Sequence, residues 1–147
     1  MLLRRSVRGE AMTIRKSAPL DAPELKRMTR SLFGSADNLD AWDEQIFVCD
    51  DGNGRLCGFI SVSARPWTEG SDIRPVAHVE AWFVDRKMRR QGVGARLMRA
   101  AEHWARLNGF AEICSDAELD NKTSLDAHAR LGFEPTLRLQ YFRKPLA

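Results

Sequence analysis

The chain has 147 residues, 44% of them hydrophobic and 29% charged, with a net charge of +3. That is the length of one ordinary domain, with enough chain to bury a core. No apolar run is long enough for a membrane span, and no basic run is interleaved with aromatics, so neither a bilayer nor nucleic acid is the expected partner; the mild positive balance suits a small anionic ligand.

The opening MLLRRSVRGEA, residues 1–11, has no periodicity and is expected as a poorly ordered extension, with Met12 the natural start and the folded domain over 12–147. It is too short and too polar in its middle for a secretory signal. Thr13 to Lys16 reads as a short strand. APLDAPELKRMTRSLFG reads as a helix with Leu25, Met28 and Leu32 on one side, Asp21 as N-cap, Pro23 in the first turn and Gly34 as the stop. QIFVCDDGNGRLCGFISVSAR reads as a hairpin, because Asp51-Gly52-Asn53-Gly54 separates two apolar runs and Asx-Gly pairs reach the positive φ that tight turns need.

PVAHVEAWFVDR is a further strand, rich in β-favouring bulk. From Val93 the apolar residues fall at Leu97, Met98, Ala101, Trp104 and Ala105, which is helical spacing, and Asn108-Gly109 ends the run. AEICSDAEL is a short strand running into an acidic loop. Asn121 to Leu131 is a last helix, closed by Gly132, and TLRLQYFRKPL alternates like a final strand. The order β-α-β-β-β-α-β-α-β implies a single α/β (α+β) domain with a mixed central sheet and helices on both faces. The strand–helix–strand stretch over 76–115 implies a locally parallel pairing. The cysteines Cys49, Cys57 and Cys114 are odd in number and carry no CxxC or paired-histidine spacing. They read as reduced buried thiols of a cytoplasmic protein, not as a disulfide framework or a metal site.

RRQGVGARL, from Arg89 to Leu97, joins the end of a strand to the mouth of a helix. Amides there lack intrahelical partners, the helix dipole adds partial positive charge, and glycine lets a ligand approach the main chain. Together with Arg89 and Arg90 this makes a seat for a pyrophosphate. The P-loop and dinucleotide-binding fingerprints are both absent. Taken alone, the pattern fits a capped turn with a solvated basic face equally well.

The stretch VEAWFVDRKMRRQGVGARLM, followed by LDNKTSLDAHARLGF, resembles the GNAT superfamily of acetyl-CoA-dependent N-acetyltransferases. HVEAWFV, CSDAELDNKTSLDAHARLGFEPT and LQYFRKPL are similar to its aminoglycoside 6'-N-acetyltransferase branch. The resemblance spans roughly Met12 to Pro145. It implies acetyl-CoA as cofactor, with the backbone of Phe83, Val84 and Asp85 pairing with the pantetheine arm. The N–H groups of Gln91, Gly92, Val93, Gly94, Ala95 and Arg96 would then hold the pyrophosphate. It also implies Asn121 beside the cofactor; in the helix reading Asn121, Ser124 and His128 share one face.

Acetyl transfer to an amine needs a group that takes the ammonium proton, a donor for the thioester oxygen and a proton for the departing thiolate. Glu80, mid-strand among apolar neighbours, and Asp116, after ICSD, are the candidate bases. Each also reads as ordinary structure: an exposed strand position for Glu80, a loop-start cap for Asp116. The resemblance places both against the acceptor amine. Glu118 and Asp120 complete an acidic SDAELD loop suited to a polyamine, though Asp120 also fits as a helix cap. His128 stands where relatives place a tyrosine that protonates the thiolate, and Trp67 matches an aromatic acceptor contact. The segment after the first helix is shorter than in aminoglycoside enzymes, and Leu137 stands where an acidic residue is frequent. Both differences fall on the acceptor side.

The expected activity is therefore N-acetylation of a small primary amine, best matched by the 6'-amine of an aminoglycoside, in a ternary complex. The resemblance also implies a homodimer, formed through the last strand. Another small amine or a peptide amine is the nearest alternative acceptor. A non-catalytic acyl-CoA-binding regulatory module is the alternative of a different class, and Glu80 and Asp116 argue against it.

Overall fold

A computed structural model describes residues 12–35 and 44–147. The expected N-terminal extension and most of the short segment after the first helix lie outside the described residues. The elements run β1 (Thr13–Lys16), α1 (Ala22–Phe33), β2 (Gln45–Asp50), β3 (Leu56–Arg65), β4 (Val76–Val84), α2 (Val93–Leu107), β5 (Ile113–Cys114) and α3 (Lys122–Arg130). Strands β1 to β4 pair antiparallel in chain order, and β5 joins β4 in parallel, as the crossover through α2 requires.

The hairpin turn forms where Asp51-Gly52-Asn53-Gly54 places it. The Asp50 carboxylate accepts from the Gly52 N–H at 2.8 Å, and the Asp51 carboxylate accepts from Asn53 and Arg55 at 2.7 and 3.2 Å. Gly34 closes α1 in the left-handed region at φ +80°, its N–H bonded to the Arg30 carbonyl. At the other end of α1, Asp21 does not cap the helix through its side chain. Instead its carboxylate takes both Arg15 nitrogens, at 2.8 and 2.9 Å, and the Ala18 N–H at 2.7 Å. A bidentate charged partner outcompetes a single backbone donor.

The sheet is buried on both sides. Leu25 and Met28 of α1 cover Val48, Phe59, Ala81 and Phe83. Val93, Leu97, Met98 and Ala101 of α2 cover Phe47, Ile60, Val62 and Val79 on the opposite face. Each fully buried Leu, Met or Phe contributes about 1.5–3 kcal/mol, so β3, buried over seven consecutive residues, is the centre of the molecule. Trp104 packs beside the second cluster and stacks on Phe110 at 5.6 Å. Cys49 and Cys57 are buried free thiols on adjacent strands, while Cys114 is only half-buried.

Two irregularities in strand pairing shape the surface of the sheet. Between β3 and β4 the register slips, so that Ser61 faces Ala81 and Val62 faces Val79, leaving Glu80 as the extra, bulged residue. Between β4 and β5 only Ala77↔Ile113 and His78↔Cys114 pair, after which the two strands part. A cleft opens where they separate.

The C-terminal segment differs from expectation. Residues 134–147 form no strand, although TLRLQYFRKPL alternates as one. A strand exists only through hydrogen bonds to a neighbour, and among the described residues none pairs with it. Its side chains stand in solvent, Tyr141 at 83% and Phe142 at 90% exposure.

Candidate functional site

The cleft has a volume of about 1370 Å³ and is walled by the end of β4, the first turn of α2, the loop after β5 and one side of α3. Its two ends differ in charge. Arg86, Arg89 and Arg90 line the cleft beside the start of α2, Glu80 and Asp116 line it along β4 and after β5, and Asp126 and Arg130 line it from α3.

The basic end is built mainly from backbone. Gly92 sits at φ +78° as the cap before α2, and Arg90 also has positive φ, at 63°. This turn aims the chain so that the unmatched amides of the first helical turn face the cleft, with Gly92, Val93, Gly94 and Ala95 in its wall. Gly94 answers a packing demand: a Cβ there would stand 3.3 Å from the Trp82 ring. The Trp82 indole N–H donates to the Gly94 carbonyl at 3.1 Å, tying β4 to the loop. Because β5 has peeled away, the outward N–H and C=O groups of alternate β4 residues have no strand partner there.

Three of the expected cofactor positions also make polar contacts within the chain. The Arg96 N–H makes the first intrahelical bond, to the Gly92 carbonyl at 3.1 Å, and its guanidinium reaches the Met12 carbonyl, so neither faces the cleft. The Gln91 side-chain amide reaches the Lys87 carbonyl, a contact that does not involve the main-chain N–H expected to meet the pyrophosphate. The Asp85 N–H is taken by the Cys57 carbonyl at 2.8 Å, and its carboxylate by Arg27 at 2.9 and 3.0 Å. The main-chain N–H groups of Arg96 and Asp85 are therefore already bonded within the chain. Phe83 and Val84 do line the cleft, and Arg89 Nε donates to the Val84 carbonyl at 3.0 Å.

On α3, Asn121 is the N-cap, its side-chain oxygen accepting from the Ser124 N–H at 3.2 Å; the cap is therefore Asn121 and not Asp120. Asn121, Ser124 and His128 all line the cleft, as their shared face implies. His128 is held on every side. Its Nδ1 lies 2.7 Å from the Ser124 carbonyl, its Nε2 lies 2.8 Å from the Ser115 hydroxyl, and Trp82 and Phe133 meet it edge-on at 5.3 and 5.2 Å. A carbonyl can only accept, so Nδ1 carries a proton; Nε2 accepts from Ser115 in the neutral ring and donates to it in the charged one.

The acidic end is built from side chains. Glu80 accepts from Arg65 through both oxygens, at 2.7 and 2.6 Å, and from Ser63 at 2.6 Å. His78 Nδ1 stands 3.3 Å from the same carboxylate. Burial pushes the Glu80 carboxyl up, but His78, Arg65 and Ser63 together outweigh it and hold it well below the usual carboxylate range. Asp116 is 84% exposed at the cleft mouth, 3.8 Å from His78 Nε2. Glu44, just before β2, carries a buried carboxylate oxygen with no partner, and burial together with Glu80 pushes its carboxyl up to about 7, against the opposing pull of Arg65. Trp67, 53% exposed, and Glu118, also exposed, are not in the cleft wall.

Several residues of this site carry no signal in a linear reading. Arg65 and Ser63 meet Glu80 only through the β3–β4 register, and Ser115 meets His128 only because α3 folds back over β5. His78 was legible in part, since residues i and i+2 of a strand share a side. Among the described residues no cluster of three His, Cys, Asp or Glu is placed to hold a metal ion, and no helix is long and apolar enough to cross a membrane.

A pyrophosphate-bearing acyl donor fits this cleft: unmatched helix amides and arginines at one end, an unpaired strand edge along the wall, and carboxylates at the far end. The comparisons with known proteins agree. The Acetyltransferase (GNAT) family model matches residues 13–133. Aminoglycoside N(6')-acetyltransferase type 1 of Stenotrophomonas maltophilia is 32% identical over 94% of this chain and 96% of its own length. The Klebsiella aerogenes enzyme of the same name is 45% identical over 94 residues, 64% of this chain and 62% of that enzyme. Among solved structures, AAC(6')-Iy in complex with the bisubstrate analogue CoA-S-monomethyl-acetylneamine superposes with a TM-score of 0.82 at 28% identity, covering 92% of this chain and 99% of the other. Fold, cleft and sequence together make this chain a member of the GNAT acetyltransferase family.

Proposed function

We propose that the chain is an N-acetyltransferase that moves acetyl from acetyl-CoA to a primary amine, the 6'-amine of an aminoglycoside, by direct attack in a ternary complex. The observation that carries this reading is a single cleft with an anion seat of helix amides and arginines at one end and two carboxylates at the other. The names of the curated relatives and of the bisubstrate complex support the acceptor. Acetyl-CoA supplies the activated thioester when bound.

The chain's own groups divide the work. Amides from Gly92 to Ala95, with Arg89 and Arg90, bind the pyrophosphate, and the strand edge at Phe83 and Val84 aligns the pantetheine arm. Asn121 and Ser124 flank it from α3. A strand N–H near Val84 polarises the thioester oxygen. Glu80 and Asp116 draw in and orient the cationic acceptor, and the end-to-end charge contrast suits a polyamine. A carboxylate held as low as Glu80 is a weak base, so Asp116, directly or through water, takes the amine proton. The departing sulfur is protonated by the Ser115–His128 pair. With His128 as imidazolium, Nε2–H donates to the Ser115 oxygen while the Ser115 proton passes to sulfur, leaving neutral His128.

The working form is a homodimer. Support comes from the alternating segment Thr136–Leu146, whose apolar side chains are exposed among the described residues. Pairing with a second copy would give it the neighbour it lacks. Sedimentation of the full chain against one ending at Glu134 tests this, with loss of the dimer expected on truncation. The cytoplasm is the expected location, because Cys49 and Cys57 are buried thiols left unbridged.

The activity is tested by measuring free-thiol release with acetyl-CoA against aminoglycosides that carry a 6'-amine, linear polyamines and peptides. Turnover with the first class, with the acetyl group located on the 6'-nitrogen by NMR, is expected. Turnover only with polyamines or peptides would replace the acceptor, and none with any amine would remove the reading.

A further inference from the structure

His78 is the best-buried ionisable side chain near the acceptor end, at 3% exposure. It lies opposite Ser63 on β3 and beside Cys114 on β5. Its nitrogens look toward both acceptor carboxylates: Nδ1 is 3.3 Å from Glu80 Oε1, and Nε2 is 3.8 Å from Asp116 Oδ2. At 3.3 Å the first contact falls short of an aligned hydrogen bond although it helps hold the Glu80 carboxyl low, and among the described residues Nδ1 has no other partner. An apolar side chain at this strand position would avoid that cost. The imidazole, lodged between two carboxylates and lacking a firm partner, is placed to gain and lose a proton.

We infer that His78 is a positioning residue that receives, through Asp116, the proton released by the acceptor ammonium, so that both carboxylates remain ionised during attack. The inference rests on the acetyl-transfer reading. The steps balance. The ammonium N–H bond breaks as an O–H bond forms on Asp116; that proton moves to His78 Nε2, giving an imidazolium between Asp116 and Glu80; after transfer it returns through Asp116 to solvent. Imidazole is the side chain whose ordinary titration spans neutrality, which suits it to hold a proton that Glu80 refuses. The groups facing His78 are Glu80 on its own strand, Arg65 and Ser63 on β3, and Cys114 and Asp116 from β5 and its loop, with Glu44 beyond Glu80. Arg65 opposes the imidazolium, but its charge is already matched by Glu80.

The test has two arms. In the first, His78→Gln is compared with wild type over roughly pH 5 to 8. The expected result is an acid limb for wild type in this range that the variant lacks, a kcat lower by about 100-fold near neutrality, and KM for acetyl-CoA within about twofold. An equal loss at every pH, with the limb unmoved, would reduce His78 to packing and overturn the proposal. The second arm needs no turnover and so separates this proposal from the acetyl-transfer reading. In protein with 13C-labelled histidine, one of three histidine signals should be absent in His78→Gln. In the complex with coenzyme A that signal should titrate within the same range and shift its midpoint in Asp116→Asn. A signal that does not titrate, or that ignores Asp116, overturns the proposal whatever the enzyme turns over.

Discussion

The two ends of the cleft are made of different material. The basic end is main chain: a left-handed glycine, one helix start, one strand edge left bare. The acidic end is side chain: Glu80, Arg65, Ser63, His78, Asp116 and Glu44, drawn from β3, β4, the residue before β2 and the loop after β5. A backbone site is set by a few neighbouring residues and repeats wherever that turn repeats. A side-chain site depends on which distant residues the sheet register brings together. The contrast explains why one end serves a constant cofactor and the other can be adapted to an acceptor.

Substitutions can separate the two ends. The largest effect is expected from Glu80→Ala, which removes an acceptor carboxylate and strands Arg65. kcat/KM for the amine should fall by about 1000-fold while coenzyme A affinity by calorimetry changes less than about threefold. Equal losses on both measurements would mean that the ends are not independent. Gly92→Val is the converse. A β-branched residue at φ +78° is strained by about 1–3 kcal/mol with no atom near its Cβ. Coenzyme A affinity should drop by roughly 10–100-fold, and kcat at saturating cofactor should stay within about threefold.

Ser115→Ala tests the junction between the ends. It leaves His128 Nε2 without its Ser115 partner, and kcat should fall by about tenfold with both KM values little changed. An unchanged kcat would exclude Ser115 from protonating the sulfur. The smallest effect concerns Glu44. Its carboxyl is raised from 4.5 to about 7, so the folded protein binds a proton more tightly than the unfolded one. That contribution is complete below the unfolded value and disappears as pH rises through the folded one; stability should decline between about pH 4.5 and 7. Glu44→Gln removes this dependence, making the protein more stable than wild type at pH 8 by about 1 kcal/mol, after allowance for partial exposure. Urea unfolding at pH 5 and pH 8 measures the difference.

Much of the fold was legible in the residue order. The period of α1 and α2, the Asx-Gly turn and the parallel crossover followed from local residue chemistry. The anion seat at RRQGVG was readable as a loop entering a helix. What residue order did not show is that the Arg96 and Asp85 N–H groups are already bonded, to the Gly92 and Cys57 carbonyls. Linear reading cannot count hydrogen bonds already made. The expected last strand has the pattern without the partner, because alternation specifies a face and pairing requires a neighbour.

Helices, turns and the helix-start anion seat rest on interactions within a few residues, so residue order alone was enough to place them. The state of the acceptor carboxylates was settled only on folding, when a one-residue bulge turned Glu80 toward Arg65 and Ser63, 15 and 17 positions away. Electrostatic energies depend on distances through space, and those distances do not exist until the sheet has chosen its register.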